Sequence, residues 1–468
     1  MRRLGNNKEV EGRGRASLVK LALVPVVVLT LGACDELLEV ELPGAVTSEA
    51  LNNPALAETL VLGVVGDFEC GLSDYIWYPG MWYELFLNTS GGRPSALSGL
   101  RSQLIEVYAD PCASGTGPIW TTMQVPHQQA VRAIDLLNSE DFSGVENKNS
   151  LLATAHLYQA YSVEHLAEQF CEITLAGGPR MSREDGFTRA EELFTQTISM
   201  AAGEPDLLAA AYIGRARARL NLGDHAGVLA DASHAAIPEG FELVATYDTS
   251  PTRRNNQIAE GNHLNDGLMP ASTYGCPSDA FNPCPHGVGL LTFASDGSTV
   301  ADSGDPLIGA GFADPRVPVT IRGPGDLDQR GTMEYRLQWK YPSEGTPIPF
   351  STWREAQTMI AEAHAKMGNG QGATDAINLL RTNNAGLPQE IDGSGWPLPL
   401  LTSTDLATIT ETALEERRRE LWMHGVIFGD KLRNGYPVWE DSDEYGQAVA
   451  DGRCLRIPFL EVTSNPNL

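Results

Sequence analysis

The sequence predicts a mainly α-helical protein, in which a tetratricopeptide-like helical-repeat scaffold carries a loop-rich lobe. Its 468 residues are 42% hydrophobic and 20% charged, which is ordinary globular usage and allows a large core. Apolar residues recur at three- and four-residue intervals in both halves, whereas residues 245–350 are dense in Gly, Pro, Asn, Asp and Ser. This pattern indicates one scaffold, 45–240 with 351–425, and an inserted lobe at 245–350.

Residues 1–33 have the order of a lipoprotein signal peptide. A basic stretch precedes an apolar run at 21–33, which is shorter than the roughly 20 residues that a membrane-spanning helix needs. The run ends at Leu31-Gly32-Ala33-Cys34, which resembles the lipobox of bacterial lipoproteins, where the cysteine thiol takes a diacylglyceryl group. We expect cleavage before Cys34, so that an acylated Cys34 anchors the mature chain, 34–468, to the membrane.

The charge balance excludes nucleic acid as a partner. Lys and Arg number 33 against 60 Asp and Glu, for a formal net charge of −27. Binding a polyanion requires a basic stripe, and the basic clusters here are the N-terminal tract and the run Arg417-Arg418-Arg419. An acidic surface favours neutral or cationic ligands over anionic ones.

The remaining cysteines predict disulfides. An even number of cysteines in an exported chain is typical of disulfide bonding, and six of them allow 15 pairings. We favour Cys276–Cys284 because both lie in one Pro-rich loop, and the other pairings stay open. No Cys-x-x-Cys or His-x-x-x-His spacing indicates a metal site. The six are Cys70, Cys112, Cys171, Cys276, Cys284 and Cys454.

In the first half of the chain, periodicity and helix-start signals predict six helices. Asn53-Pro54 is a typical helix start. The clearest helix is 151–170, where Leu151, Tyr158 and His165 belong to one apolar stripe. Helices 205–222 and 224–236 are joined by a turn at Gly223. The predicted helices are 53–68, 119–138, 151–170, 189–202, 205–222 and 224–236.

A similar helical pair recurs in the second half, at 352–367 and 372–383. Residues 216–224 and 361–369 share the pattern Ala-x-Ala-x-x-x-apolar-Gly-polar, and small residues at such positions let antiparallel helices pack closely, as in tetratricopeptide hairpins. A last helix is predicted at 409–424, followed by turns and an extended ending at 454–458.

The middle region is predicted to be a lobe with short β-like pieces at 289–293, 317–321 and 334–340. A structureless linker of about a hundred residues is implausible inside a compact protein, and long irregular stretches usually carry function. We therefore expect binding loops here.

An ordered series of short sequence pieces runs from Cys34 to the C-terminus. Each piece is weak alone, but their order and spacing together are specific. The pieces are Cys34-Asp35-Glu36-Leu37, the Ala/Tyr-rich helix at 152–170, Ala313-Asp314-Pro315-Arg316, Trp339-Lys340-Tyr341, Arg354-Glu355-Ala356, Ala376-Ile377-Asn378-Leu379-Leu380-Arg381, Glu416-Arg417-Arg418-Arg419-Glu420-Leu421, Leu455-Arg456-Ile457-Pro458 and Asn465-Pro466-Asn467-Leu468. Through them, essentially the whole mature chain resembles the SusD/RagB family of outer-membrane lipoproteins.

The resemblance implies a surface-exposed, lipid-anchored protein of the outer membrane that captures nutrients. It implies oligosaccharide binding and delivery to a TonB-dependent β-barrel transporter, the partner that would contact the helical-repeat face. Two alternatives stay open: a peptide-binding lipoprotein of the same type, and a tetratricopeptide-like scaffold with no small ligand.

The candidate ligand site is an aromatic run at 75–83. Aromatic faces stack on the apolar C–H face of a sugar ring, while Tyr and Trp add a polar group. The family's glycan site draws on this N-terminal region and on the mid-chain lobe, so the Pro-rich loop supplies further candidates. The candidate residues are Trp77, Tyr78, Trp82, Tyr83, Asn88, Tyr274 and Phe281.

The motifs do not indicate an enzyme. No nucleophile elbow, Walker loop, zinc-protease motif or dinucleotide fingerprint is present, and no cofactor or metal is predicted. Residues 441–452 resemble a calcium loop, but Gly452 stands where such a loop needs Glu. Glu415, Glu416 and Glu420 surround an Arg run, which predicts an intrahelical salt-bridge ladder.

Overall fold

Helices dominate the computed structural model of this chain. The structure describes residues 52–80, 86–88, 119–250, 255–266, 268–270, 293, 296–299, 314–323, 325–329, 331, 335–385, 397–435 and 454–468, all within one compact unit, Asn52–Leu468. Within these ranges no helix combines the length and the apolar character needed to cross a bilayer. The α-helices of six or more residues, which follow a 3-10 turn at Pro54–Leu56, are α1 (Ala57–Gly80), α2 (Ile119–Asn138), α3 (Lys148–Gln169), α4 (Arg183–Met200), α5 (Pro205–Leu222), α6 (His225–Ala232), α7 (Trp353–Lys366), α8 (Gly370–Thr382), α9 (Leu406–Glu420), α10 (Ile427–Asn434) and α11 (Phe459–Ser464).

The strands in the described ranges are short and pair two by two, always antiparallel. The pairs are β1 (Phe86–Asn88) with β5 (Leu268–Pro270), β2 (Glu172–Ile173) with β3 (Met181–Ser182), β4 (Glu242–Ala245) with β8 (Ile348–Thr352), and β6 (Val319–Ile321) with β7 (Arg336–Gln338). Two of the predicted β pieces contain β6 and β7, while the piece at 289–293 lies outside the described residues except for Phe293. These ladders fasten loops to a helical scaffold.

Helix α3 is the centre of the scaffold. Helices α1, α2, α4 and α5 pack around it, and nearly every side chain from Leu151 to Gln169 is buried. The predicted stripe is in the core, but the other faces of α3 are buried as well, which a single stripe did not predict. Four rings, Phe68, Tyr158, Tyr161 and Phe350, pack there with centroids 5.0–6.4 Å apart, so edge-to-face contacts add to apolar burial.

The two predicted helical hairpins are present. Helix α5 has the predicted bounds and ends at Gly223, whose φ of 78° is left-handed, a conformation that glycine adopts at little cost. Helix α7 packs against α8 as α5 packs against α6, and α7 also contacts α6 and α9. Consecutive antiparallel pairs therefore build the scaffold, as the repeat pattern predicted.

Helix α1 continues well past its predicted end near residue 68. It passes through Gly71, where an added Cβ would lie 2.7 Å from the carbonyl oxygen of Thr122 on α2. The close approach of two backbones requires glycine here, although glycine in a helix interior costs about 1 kcal/mol relative to alanine. As a result, Tyr75 and Ile76 of the aromatic run are buried in the core.

The acids of the Glu-Arg-rich helix α9 do not form the predicted intrahelical ladder, except at Glu415, which binds Arg418 and Arg419. Glu416 instead lies 2.6 Å from Arg316 and 2.8 Å from Arg381, and all three are buried. The partners come from other elements because α9 packs against α7 and α8, and Arg316, three residues before β6, reaches the same carboxylate.

A second buried group joins the two halves of the scaffold. Arg217 of α5 lies 2.6 Å from Glu355 of α7, and Arg417 of α9 contacts the same carboxylate. Arg417 also pairs with Asp430 of α10 at 2.9 Å. Buried ion pairs of this kind fix the relative position of helices, since each charge depends on its partners.

The C-terminal segment carries two helices that the sequence did not predict, α10 and α11. A disulfide joins Cys171 to Cys454 across 283 residues, and Cys171 also donates its backbone N–H to Leu455. Asn465 donates to the carbonyl of Gly178, so the chain end packs beside β2 and β3. Cys70 is also disulfide-bonded, and the favoured pair Cys276–Cys284 lies outside the described residues.

Candidate ligand-binding surface

Of the predicted ligand residues, Trp77 is the one whose side chain the structure describes. It lies in α1, one position after Ile76, and its half-buried ring packs against the main core. Asn88 is placed by its backbone in β1, and Tyr78 by its backbone in α1. Trp82, Tyr83, Tyr274 and Phe281 lie outside the described residues. The aromatic run is therefore divided: its first part, Tyr75 and Ile76, belongs to the core.

The ladder of β1 with β5 joins the N-terminal region to the lobe. Phe86 pairs with Pro270 and Asn88 pairs with Leu268, in antiparallel register. The chain therefore enters β1 at the same end of the ladder at which it leaves β5. The ladder therefore places the backbone of the candidate Asn88 beside the lobe, although β1 and β5 are far apart in sequence.

Beside that ladder, the lobe exposes an aromatic side chain. Strand β5 packs against β7, and Trp339, which directly follows β7, is 40% exposed. Its indole Nε1–H donates to the hydroxyl of Thr320 at 2.7 Å, and its ring centroid lies 5.3 Å from that of His263. Leu264, the next residue after His263, is 61% exposed. We call Trp339, His263 and Leu264 the lobe platform.

His263 and Leu264 belong to a π-helix, Glu260–Leu264. π-Helical turns are rare in proteins, and those that occur often lie at functional sites. The backbone then passes through Asp266, whose φ of 47° is left-handed, a region that non-glycine residues seldom adopt. The lobe platform thus sits on an irregular segment, held by Asn262, whose side chain exchanges hydrogen bonds with the backbone of Arg336 and Gln338.

Carboxylates outnumber cations among the ionisable groups near the lobe platform. Arg322 pairs with Asp266 and with Asp326, so one guanidinium serves two carboxylates. Burial lowers the pKa of His263, and its hydrogen bond to the carbonyl of Gln338 only partly offsets this. His263 is therefore neutral at pH 7. Within the described ranges, no group of three or more His, Cys, Asp or Glu side chains could hold a metal ion.

Solved structures share the fold of this chain, although the sequence comparisons find no match. No protein-family model matches the sequence, and no curated protein matches it. Solved structures do match: a SusD-like protein from Bacteroides fragilis has a TM-score of 0.58 and 15% identity, covering 88% of this chain and 96% of that one. A SusD superfamily protein from Bacteroides vulgatus has a TM-score of 0.60 and 12% identity, covering 88% and 97%.

This chain has the SusD-like fold. A further similar structure, described as a SusD-like carbohydrate binding protein from Bacteroides fragilis, has a TM-score of 0.54 and 15% identity over 82% of this chain and 86% of its own. These matches confirm the predicted fold class, a tetratricopeptide-like scaffold with a lobe. They also agree with the sequence resemblance, at the level of fold.

Sequence reasoning about this SusD-like chain did not select Trp339 as a ligand residue. The Trp339-Lys340-Tyr341 piece entered only as part of the resemblance. One signal was available: alternation along a strand sends Trp339 to the face opposite Lys340 and Gln338. This alternation predicts an exposed Trp339 only if Lys340 is already known to point inward.

Proposed function

We propose that this protein is a surface nutrient-binding lipoprotein that captures oligosaccharides and delivers them to a TonB-dependent outer-membrane transporter. The observation that carries the proposal is the SusD-like fold over most of the chain. Among the structures that share it are proteins described as carbohydrate binding. The lobe adds an exposed tryptophan beside polar side chains, which is suitable for stacking on a sugar ring.

The location forms part of the proposal. Disulfides persist in oxidising compartments and are rare in the cytosol, so the Cys171–Cys454 bond favours an exported protein. The lipobox at Cys34 supplies the anchor, and together these observations support a lipid-anchored protein of the outer membrane, exposed at the cell surface.

A binding role without catalysis is also part of the proposal. Burial, and secondarily the charge of Glu260, raise the pKa of Asp74, an arrangement that elsewhere makes a general acid. Asp74, however, is 2% exposed, so its carboxyl cannot reach a substrate. Most other buried acids face arginines, as Glu416 and Glu355 do, which supports a structural use.

The ligand class is tested with the purified mature chain in mild detergent. We expect its mobility in native gels to be retarded by one or more neutral polysaccharides, with no turnover of the polysaccharide on prolonged incubation. Binding only to basic oligopeptides, with an affinity that falls steeply as salt is added, would indicate a peptide-binding lipoprotein instead. Binding to neither would favour a scaffold role.

The anchor is tested by Cys34→Ser. Because a serine cannot be acylated, we expect this variant to be released without detergent, while the wild type stays with the outer membrane. Ser199→Ala, an exposed substitution in α4 that keeps the lipobox and the disulfides intact, is the control for a general effect of a side-chain change. A Cys34→Ser chain that still fractionates with the outer membrane would contradict the anchor.

The transporter is tested by gentle detergent extraction. We expect the wild type to co-purify with a β-barrel protein of larger mass, because delivery requires a lasting complex. The complex should survive moderate salt, since the helical scaffold offers a broad contact face. A protein that stays monomeric across a range of detergents and salt concentrations would count against transport.

A further inference from the structure

We propose that Trp339 and His263 form a sugar subsite, in which a neutral pyranose ring stacks on the indole and donates a hydroxyl hydrogen bond to the imidazole. This inference rests on the proposed oligosaccharide binding and locates it on the lobe, away from the aromatic run that the sequence selected.

The first support is an inversion of the usual burial order along three consecutive residues. Trp339 is 40% exposed, whereas Lys340 is 2% exposed and Tyr341 is fully buried. An exposed tryptophan beside a buried lysine is the reverse of the common pattern. Residues whose placement opposes stability are expected mainly at functional sites.

The inversion is fixed by hydrogen bonds. Lys340 donates its Nζ to the carbonyl of Trp422 at 2.7 Å, and Tyr341 donates its hydroxyl to the carbonyl of Met423 at 3.2 Å. With Lys340 held inward, strand alternation directs Trp339 to the outside. The indole is also held in place, because its Nε1–H donates to Thr320. The ring is therefore preorganised, which reduces the entropy lost on binding.

The second support is the state of the imidazole. The Nε2 atom of His263 lies 2.6 Å from the carbonyl oxygen of Gln338, and a carbonyl only accepts, so Nε2 carries the proton. In a neutral imidazole the other nitrogen, Nδ1, is then an acceptor. Its ring centroid is 5.3 Å from that of Trp339. An apolar face and a nearby acceptor match the C–H face and the hydroxyl groups of one sugar.

The charges select against acidic sugars. Asp266 follows the π-helix by two residues, Asp326 lies five residues after β6, and Arg322 pairs with both. With Glu260 at the start of the π-helix, three carboxylates stand against the two guanidinium groups of Arg322 and Arg336, so the region is acidic. Uronic acids and sulfated sugars are repelled by such a field, whereas neutral sugars are not.

The test compares Trp339→Ala, Trp339→Phe and His263→Gln with the wild type, all as mature chains. Glutamine places an amide donor near the position of Nε2 but lacks the Nδ1 acceptor. The probes are amylopectin, xyloglucan, galactomannan and arabinoxylan as neutral polysaccharides, with polygalacturonate as the anionic one. Phe459→Ala is the matched control, since Phe459 is an aromatic residue of α11 that is 62% exposed and lies outside the lobe.

For a polysaccharide that retards the wild type, we expect Trp339→Ala to lose about ten- to thirty-fold in affinity. Trp339→Phe should lose less because it keeps a ring, and His263→Gln should lose severalfold. Melting temperatures should stay near that of the wild type, and Phe459→Ala should bind normally. Ligand-induced change in tryptophan fluorescence should shrink in Trp339→Phe.

The subsite and the proposed function can be contradicted by different results. If neutral polysaccharides retard the wild type and Trp339→Ala equally, the subsite is wrong while oligosaccharide binding stands. If polygalacturonate binds best through Trp339, the assignment of a neutral sugar is wrong. If no polysaccharide retards the wild type, the proposed function itself fails, and the subsite with it.

Discussion

Replacing Glu416 with Gln is expected to lower the free energy of unfolding by about 3–5 kcal/mol, the usual effect of breaking a buried ion pair by removing one partner. Glu416 lies fully buried between Arg316 and Arg381. Glutamine keeps the shape and some hydrogen bonding, but the negative charge is lost. Two guanidinium groups then remain buried with fewer opposing charges.

The pH dependence of the same variant tests the cause. Burial would raise the pKa of Glu416, but Arg316 and Arg381 outweigh burial and lower that pKa to about 2. A lowered pKa stabilises the folded state above the unfolded value, near 4.3, and this contribution is lost as the pH falls toward 2. We therefore expect the difference between wild type and Glu416→Gln to narrow from about pH 4 downward.

The control for this prediction is Glu411→Gln, on the exposed face of the same helix, α9. It removes the same charge without unpairing a buried arginine, so we expect its unfolding energy to change by about 0.5 kcal/mol or less. Urea unfolding at pH 7 measures both variants. Equal effects of the two variants would show that charge on α9, and not the buried cluster, sets stability.

The helices that the sequence predicted well are those whose ends carry local signals. Helix α5 begins at Pro205 and ends before Gly223, and its bounds were predicted without error. Helix α1 was predicted to end near residue 68, but it extends to Gly80. Its continuation depends on packing against Thr122, a contact between residues about fifty positions apart that local sequence does not encode.

The buried ion pairs also depend on contacts that the local sequence does not encode. Glu415, Glu416 and Glu420 are all spaced to pair with arginines within α9, but only Glu415 pairs in this way. Arg316, the partner of Glu416, is 100 residues away in sequence, so the choice between a local and a distant arginine is made by the fold. The acids and arginines were visible in the sequence, but their partners were not.

The identity of the candidate site residues depends on the fold even more than the choice of ion-pair partners does. The aromatic density at 75–83 suggested a ligand surface, yet helix α1 carries Tyr75 into the core, where its hydroxyl donates to the backbone carbonyl of His165 at 2.8 Å. Trp339 is exposed because Lys340 bonds to a carbonyl 82 residues away. Which aromatic residues face solvent therefore depends on long-range hydrogen bonds.

Removing the Cys171–Cys454 disulfide, with Cys171→Ser and Cys454→Ser together, is expected to cost about 2–5 kcal/mol of unfolding free energy. The bond closes a loop of 283 residues, and long loops lose the most chain entropy when they are crosslinked. Within the described residues, the other contacts of this segment include hydrogen bonds to residues 169–178 and the burial of Leu455 against the main core. Among them are the bridge of Phe170 with Leu455 and the bond of Thr174 to Glu461 at 2.8 Å.

Because the disulfide is a covalent attachment of this segment to the scaffold, we expect the double variant to be cut by protease near the C-terminus before the rest of the scaffold. The matched control replaces Cys276 and Cys284, since a bond between them would close only a short loop and should stabilise less. Urea unfolding and limited proteolysis measure both effects. If the double variant unfolds like the wild type and its C-terminus resists protease, hydrogen bonds alone hold that segment, and the disulfide reports the compartment without contributing to stability.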